Sequence, residues 1–409
     1  MARTQRSAGV RVAALVLFAG ALGAGCDALL TEAPEAADVM DGPLAGLTAA
    51  EMAAFVEGDA RFEEAFGPVG GLGPIFNNVS CASCHAGDGR GRPEPGFSNV
   101  VVRLDPAVAP GRHGSPTIEQ RAVVGAEAER VPAGVALSRR LPPPVFGLGL
   151  IEAIPAEVII AGADPEDRDG DGISGRPHWV RPAPWVPSTE PGSGEGLQLG
   201  RFTRKARAST ILEQVADAYH KDMGITSEFL PFENENLSAV TPARDVAADP
   251  EVRTDVIRSV VAYLRLLAPP EPGALTESRR AGERLFAETG CAACHVPELR
   301  TGAHGIAALS DRPVRLYSDL LLHDMGEALA DGIPDAGATG REWRTAPLWG
   351  LRVMREFLSG ASFLLHDGRV RSVAEAIELH GGEAAATRDR FRALSAADRA
   401  SLLDFVESR

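Results

Sequence analysis

Two five-residue stretches decide the fold: Cys81-Ala82-Ser83-Cys84-His85 and, in the last third of the chain, Cys291-Ala292-Ala293-Cys294-His295. Each is a C-x-x-C-H run, the attachment pattern of c-type haem. Residues i and i+3 lie on one face of a helical turn, so both thiols can reach the vinyl groups at one porphyrin edge. The histidine that follows then turns its imidazole under the iron as the proximal ligand. The sequence therefore predicts two covalently bound haem c groups, with His85 and His295 as iron ligands.

Other uses of these cysteines fit the sequence less well. A zinc site would need further cysteines or a suitably spaced histidine, and no third cysteine lies near either pair. A thioredoxin-like pair would need a βαβ context, which the sequence does not indicate. The chain has five cysteines, and the fifth, Cys26, lies in the N-terminal segment, so none remains for a disulfide framework.

The composition is that of a folded, acidic protein. The 409 residues suit two domains, and the hydrophobic and charged fractions of 44% and 24% are ordinary for a globular chain. A net charge of −15 argues against a nucleic-acid partner, because phosphate binding needs basic patches. An acidic surface would suit a small basic redox protein as electron donor.

The N-terminus has the pattern of an export signal. Basic residues precede an apolar run from Val12 to Leu22, and small residues then lead to Cys26. We predict a signal peptide over 1–25, lipidation of Cys26 and a flexible tether over 26–46. The protein would then lie on the periplasmic side of a membrane as an anchored lipoprotein. Ordinary secretion with cleavage nearby is the alternative, since the usual leucine sits one place early, at Leu22.

Helix signals flank both haem motifs. Thr48 with Glu51 predicts a capped helix running towards Phe66, and Thr276 predicts a second before Cys291. After each motif an amphipathic helix is expected, one starting at Asp249-Pro250 and the other at Ser395. A helix before the haem and another at the end resemble the small cytochrome c fold.

The fold class we predict is mainly α, with two cytochrome c-like haem domains. The first domain, 47–268, is enlarged by a loop-rich insertion, and the second spans 274–409. A proline-rich stretch, 269–273, reads as the linker between them, because it breaks any helix.

Further stretches make the chain similar to the bacterial di-haem cytochrome c peroxidases and, more closely, to the di-haem oxidoreductase family that also carries the label thiol oxidoreductase. The resemblance covers most of the chain from about Leu47. Its members would use two unequal haems, one six-coordinate and one with an open position for peroxide. The stretches are Gly71–Asn78, Gly147–Glu152, Asp169–Arg176, Leu322–Gly326, Arg344–Leu351, Leu365–Arg369 and His380–Ala384.

His380 is the predicted sixth ligand of the C-terminal haem. Ser372 and Glu375 open a helix in which His380 falls on the apolar face, seven residues after Val373. By the resemblance, other members place methionine or tyrosine at the position that this spacing from His366 indicates. The alternative is a core histidine that hydrogen-bonds a backbone carbonyl.

The N-terminal haem has no such clear partner. His113 lies in a loop rich in glycine and proline and is more simply a solvated residue than a ligand. This leaves the N-terminal haem as the expected reactive site, with Glu119 and Gln120 as candidates for moving protons at bound peroxide. His323 and His366 are expected to support the second haem rather than to ligate it.

Asp167, Asp169 and Asp171 form the first half of a calcium-loop pattern, with Gly172 at position 6. The position-12 glutamate is missing, since His178 stands there, and the resemblance implies calcium between the haem domains. The alternative is an acidic surface turn.

These predictions combine into an oxidoreductase that passes electrons between two haems and reduces a small oxidant, hydrogen peroxide. One rival is an electron-transfer cytochrome without a substrate. The other is an oxidase of a protein or thiol substrate, as the older family label implies.

Overall fold

The structure is a computed structural model that describes residues 39–93, 101–104, 117–236, 239–240, 245–358, 360 and 362–409. Within them the chain is rich in helices and has several short strands. The helices are α1 (Ala49–Glu63), α2 (Cys81–Cys84), α3 (Leu148–Ala153), α4 (Ala156–Ile160), α5 (Ile211–Met223), α6 (Thr254–Leu266), α7 (Glu277–Glu288), α8 (Leu351–Phe357), α9 (Val373–Glu378), α10 (Ala385–Ala393) and α11 (Ala396–Glu407).

The strands form small antiparallel sheets between the helices. β3–β2–β5 is three-stranded, and β1–β4, β6–β7, β8–β9 and β10–β11 are two-stranded. Their bounds are β1 (Ile75–Phe76), β2 (Val101–Leu104), β3 (Thr117–Ile118), β4 (Arg121–Ala122), β5 (Leu137–Arg140), β6 (Trp179–Val180), β7 (Gln198–Leu199), β8 (Leu299–Arg300), β9 (Pro313–Val314), β10 (Leu322–Asp324) and β11 (Glu342–Arg344).

Most of the predicted helix starts are confirmed by side-chain caps. Thr48 and Ser372 each form a capping box at the start of α1 and α9, and Thr276 and Ser395 cap α7 and α11. The predicted start of α6 at Asp249-Pro250 is wrong. That helix begins four residues later, with Arg253 as its N-cap and no capping side chain.

Helices α1 and α6 cross in close contact at Gly58. A Cβ atom added to Gly58 would overlap the carbonyl oxygen of Ser259 and lie 2.6 Å from the Cβ of Tyr263. One turn after the glycine, the ring of Phe62 packs 5.4 Å from Tyr263 and 6.3 Å from His85, centroid to centroid. The crossing therefore positions an aromatic ring against the first motif histidine.

Helices α7 and α11 repeat this arrangement. A Cβ atom on Gly282 would overlap the Ser401 carbonyl oxygen and lie 2.7 Å from the Cβ of Phe405. Phe286, one turn after the glycine, lies 5.6 Å from Phe405 and 6.5 Å from His295, centroid to centroid. The same packing of a glycine, an aromatic ring one turn later and a motif histidine thus occurs twice in the chain.

Residues Met40–Arg409 form one compact unit. A single apolar core includes side chains from both crossing pairs, such as Phe62, Ile257, Phe286 and Leu402. The division into domains at 269–273 stays a prediction. So do the signal peptide and lipidated Cys26, which lie outside the described residues. No helix in the described part of the chain has the length and apolar character to cross a membrane.

Candidate functional site

The first C-x-x-C-H run lines a cavity of about 220 Å³, which we call the first cavity. Ser80 caps the short helix α2 and forms a capping box with Ser83, and this turn places Cys81 and Cys84 on the cavity wall. The Nδ1 atom of His85 lies 2.8 Å from the carbonyl oxygen of Pro143. Because a carbonyl can only accept, Nδ1 must carry the hydrogen, and Nε2 keeps the lone pair that an iron ligand needs.

The second C-x-x-C-H run lines a separate cavity of about 220 Å³, the second cavity. Cys291 and Cys294 lie on a 3₁₀ turn that follows α7, and the Nδ1 atom of His295 lies 3.0 Å from the carbonyl oxygen of Tyr317. The orientation of both motif histidines is therefore set by a backbone carbonyl, as is usual for metal-ligating imidazoles.

The protonation states at both cavities fit haem attachment. Burial lowers the pKa of His85 and of His295 to about 4, so both imidazoles are neutral, as iron ligands must be. Burial also raises the pKa of Cys81 and Cys84 to about 12. All four motif cysteines are free of disulfides.

His380 lies on the wall of the second cavity together with His295. The prediction that His380 belongs to helix α9 is wrong, because the helix ends at Glu378 and His380 follows it. Its Nδ1 donates to the Ala376 carbonyl oxygen at 2.7 Å, and burial lowers its pKa. A carbonyl thus engages one nitrogen, as in the core-histidine alternative, but the other nitrogen keeps its lone pair.

Two cavities of this kind in one helix-rich chain define a protein that holds two haem groups. The chain belongs to the di-haem oxidoreductase family. The family model described as "Di-haem oxidoreductase, putative peroxidase" matches residues 21–109 and 119–409, which confirms the resemblance found in the sequence. The residues of both cavities fit the haem cofactors that this family implies.

Other comparisons are weaker. The structure is similar to hydrazine synthase of Kuenenia stuttgartiensis, with 13% identity, a TM-score of 0.40 and coverage of 93% of this chain and 96% of that one. A MauG-like protein associated with microbial copper homeostasis is 22% identical, with a TM-score of 0.25 and coverage of 37% and 52%. Both TM-scores are too low to bear on this fold. No curated protein matches the chain.

The predicted acid–base candidates lie away from both cavity walls, as far as the described residues show. Glu119 is buried, and its carboxylate accepts a hydrogen bond from Asn234 at 3.0 Å. Gln120 bonds to Asn77 at 3.3 Å. His113 lies outside the described residues.

Asp222 lines the first cavity instead, and no sequence pattern pointed to this residue. Burial raises the pKa of this carboxyl to about 6, against the opposing charge of Arg103. A carboxyl group that titrates near neutral pH can both hold and release a proton. Its place in the ordinary run Lys221-Asp222-Met223 could not have revealed this environment.

His323 and His366 both line the second cavity. The two nitrogens of His323 donate to Asp319 at 2.8 Å and to Glu383 at 2.7 Å. Burial opposes the charge, but these hydrogen bonds raise the pKa of His323 to about 12, so its ring has no lone pair for iron. His366 stacks on Trp343 with centroids 4.0 Å apart and planes 7° apart. Both arrangements agree with a supporting role.

The predicted calcium ligands do converge. One carboxylate oxygen from each of Asp167, Asp169 and Asp171 lies within 4.8 Å of the others, on the surface. These oxygens also accept backbone N–H groups of the loop, such as Gly172 to Asp167 at 3.1 Å. His178 cannot complete the site, because its nitrogens bond to the carbonyls of Lys205 and Ala336 at 2.7 and 2.8 Å. Calcium stays a prediction.

Proposed function

We propose that this protein binds haem covalently at both cysteine pairs, passes electrons between the two haems and reduces hydrogen peroxide at the N-terminal one. The observation that supports this is the difference in the histidines that line the two cavities. His85 is the one histidine among the described residues of the first cavity wall, whereas the second cavity offers His380 besides His295. The first iron would keep a position for a substrate.

The protein itself would hold the two haems, orient the imidazoles that ligate iron and deliver protons to the substrate. Haem, when bound, supplies the redox chemistry and the site where a peroxide oxygen is reduced. His85 and His295 would hold the two irons through Nε2, while the carbonyls of Pro143 and Tyr317 fix their rings. His380 would close the second iron to substrate and restrict it to electron transfer.

Proton delivery at the first cavity is assigned to Asp222. Peroxide reduction to water consumes protons, and a donor works best when its pKa lies near the working pH. Burial raises the pKa of the Asp222 carboxyl group to about 6, and Asp222 lies on the first cavity wall together with the polar residues Lys221 and Gln214. In this proposal Asp222 replaces Glu119 and Gln120 as the acid–base group.

Spectroscopy of the purified holoprotein tests the proposal. Optical and EPR spectra of the ferric and half-reduced forms should show one high-spin and one low-spin haem. Peroxide added to the reduced protein should oxidise the haems. Two low-spin haems that are inert to peroxide would support the electron-transfer rival and refute the peroxidase.

His380→Gly tests the ligand assignment. The second haem should turn high-spin, because the variant has no side chain to occupy the sixth position. His366→Gly is the matched control, since it removes a histidine from the same wall that we do not assign to iron. An unchanged spectrum in His380→Gly would contradict the assignment.

We further propose that the mature chain is exported, is lipidated at Cys26 and receives electrons from a small basic redox protein. The N-terminal pattern and the net charge of −15 support this. Mass spectrometry of the mature N-terminus should find a diacylglyceryl group on Cys26. A free N-terminus beyond Cys26 would favour ordinary secretion.

A further inference from the structure

Two arginines, Arg204 and Arg344, line both cavities, and they are the only residues of the described chain that do. We call them the shared arginines. Arg204 follows the short β7 strand, and Arg344 ends strand β11, so they reach the same wall from distant parts of the sequence. Each group bound in either cavity would therefore meet the same two positive charges.

The shared arginines are bound by neutral groups alone. Nε and Nη2 of Arg204 donate to the carbonyl oxygen of Leu141 at 3.1 and 2.8 Å. Arg344 donates to the carbonyl oxygens of Thr203 at 3.2 Å and Thr345 at 3.3 Å. Within the described residues, neither forms an ion pair. Burial lowers the pKa of Arg344 to about 10, and lowers that of Arg204 well below its ordinary value.

Two other arginines of the first cavity wall have carboxylate partners. Arg140 pairs with Asp331 at 2.9 Å and with Asp335 at 2.6 Å, and Arg207 pairs with Asp217 at 2.8 Å. The charge of these arginines on the first cavity wall is thus compensated within the protein. That of the shared arginines is not.

Two carboxylates interact electrostatically with the shared arginines, but each of them is already paired with another side chain. Asp367, which acts on Arg204, pairs with Arg369 at 2.6 Å. Asp319, which acts on Arg344, accepts from His323 at 2.8 Å. A guanidinium on a cavity wall with no carboxylate partner among the described residues is costly to desolvate, so an anion bound in the cavities would stabilise these two side chains.

We propose that Arg204 and Arg344 form a carboxylate-binding site shared by the two cavities, which holds propionate groups of both haems and couples the haems electrostatically. This rests on the proposed function, because haem supplies the carboxylates. Arginine suits the task, since its planar fork binds a carboxylate through two parallel hydrogen bonds. One positive side chain would then adjust both reduction potentials at once.

The test is a redox titration of the full-length holoprotein, in which each haem is followed by its own EPR signal. Arg204→Met should lower both midpoint potentials, because loss of a positive charge favours the ferric state. Arg90→Met is the matched control. Arg90 also bonds to a backbone carbonyl, that of Phe363 at 3.1 Å, but it lines the second cavity alone, so its replacement should shift the C-terminal haem alone.

The haem content of each variant separates the possible failures. A wild-type protein without covalent haem would refute the proposed function. Two bound haems with one potential or neither shifted in Arg204→Met would overturn the shared site alone. If wild-type potentials depend on added inorganic phosphate and those of Arg204→Met do not, the site holds a solute anion and the propionate assignment fails.

Arg204→Lys covers the case in which Arg204→Met does not fold. Lysine keeps the charge but offers a point donor in place of the fork, so the potentials should stay near the wild type. The propionate bending bands in the resonance Raman spectrum should shift, because one of two hydrogen bonds is lost. Bands identical to those of the wild type would overturn the proposal.

Discussion

Gly58→Ala should destabilise the protein although alanine is the better helix former. Gly58 lies in α1, where the change to alanine alone would stabilise the helix by about 1 kcal/mol. The added Cβ would, however, overlap the Ser259 carbonyl oxygen and come 2.6 Å from the Cβ of Tyr263. Neither neighbour can move out of the way by rotating a side chain, so the two helices must separate.

The steric effect should exceed the gain in helix propensity. Overpacking in a well-filled core costs about 1–3 kcal/mol, and the upper half of that range applies here because backbone is displaced. After the propensity gain is subtracted, we expect the free energy of unfolding to fall by about 1–2 kcal/mol. Phe62 would shift with the helix, so the environment of His85 should change as well.

Guanidinium unfolding followed by far-ultraviolet circular dichroism measures the loss, and the Soret band reports on the haems. Val56→Ala is the control, since this exposed position in the same helix should change stability by less than about 0.5 kcal/mol. Gly282→Ala should produce the same loss with the spectral change at the other haem. A Gly58→Ala protein as stable as the wild type would refute the close crossing.

Two further predictions concern the second cavity and the acidic loop. Burial opposes the charge of Glu383, but hydrogen bonds from His323 and neighbouring donors lower the pKa of its carboxyl group to about 2. The ionised Glu383 therefore stabilises the fold above about pH 4.5, and this stabilisation is lost as the pH falls towards 2. Glu383→Gln should therefore lower the free energy of unfolding by about 1–3 kcal/mol near neutral pH and flatten this acid dependence; an equally steep acid loss in denaturant titrations would contradict the reasoning. Asp169→Asn should weaken calcium binding roughly tenfold in isothermal titration calorimetry, with the exposed Glu166→Gln as control, and equal affinities would argue for a plain surface turn.

Local signals in the sequence predicted the helices with capping side chains and the two attachment turns. The boxes at Thr48 and Ser372 formed as expected because each depends on residues three apart in the chain. The start of α6 was misplaced because Arg253 caps it without a side-chain hydrogen bond, and Asp249-Pro250 offered a stronger local pattern. The glycine crossings could not be predicted from periodicity, since Gly58 and Ser259 meet across two hundred residues.

The residues of the candidate site likewise fall into those that local sequence patterns predicted and those that they did not. The motif residues and His380 belong to short patterns, so the sequence could place them on their cavities. Asp222 and Arg204 belong to none, and Arg344 stood out only as the first residue of a family stretch; the importance of all three comes from their place on the cavity walls and from the charges around them. Glu119 and Gln120 were chosen for their nearness in sequence to His113, whereas the chain turns both towards neighbouring loops.

The difference between the cavities follows from what the chain inserts after each attachment turn. After Cys294 the chain returns to the second cavity through α9, which ends beside His380 and adds a second imidazole to the wall. After Cys84 a much longer insertion precedes α6, and it contributes Asp222 and paired charges such as Arg207 and Asp217. Within the described residues, the first cavity wall has no histidine besides His85, and its arginines have no lone pair to offer iron. We therefore expect the first iron to exchange its sixth ligand with solvent or peroxide, while the second haem stores an electron.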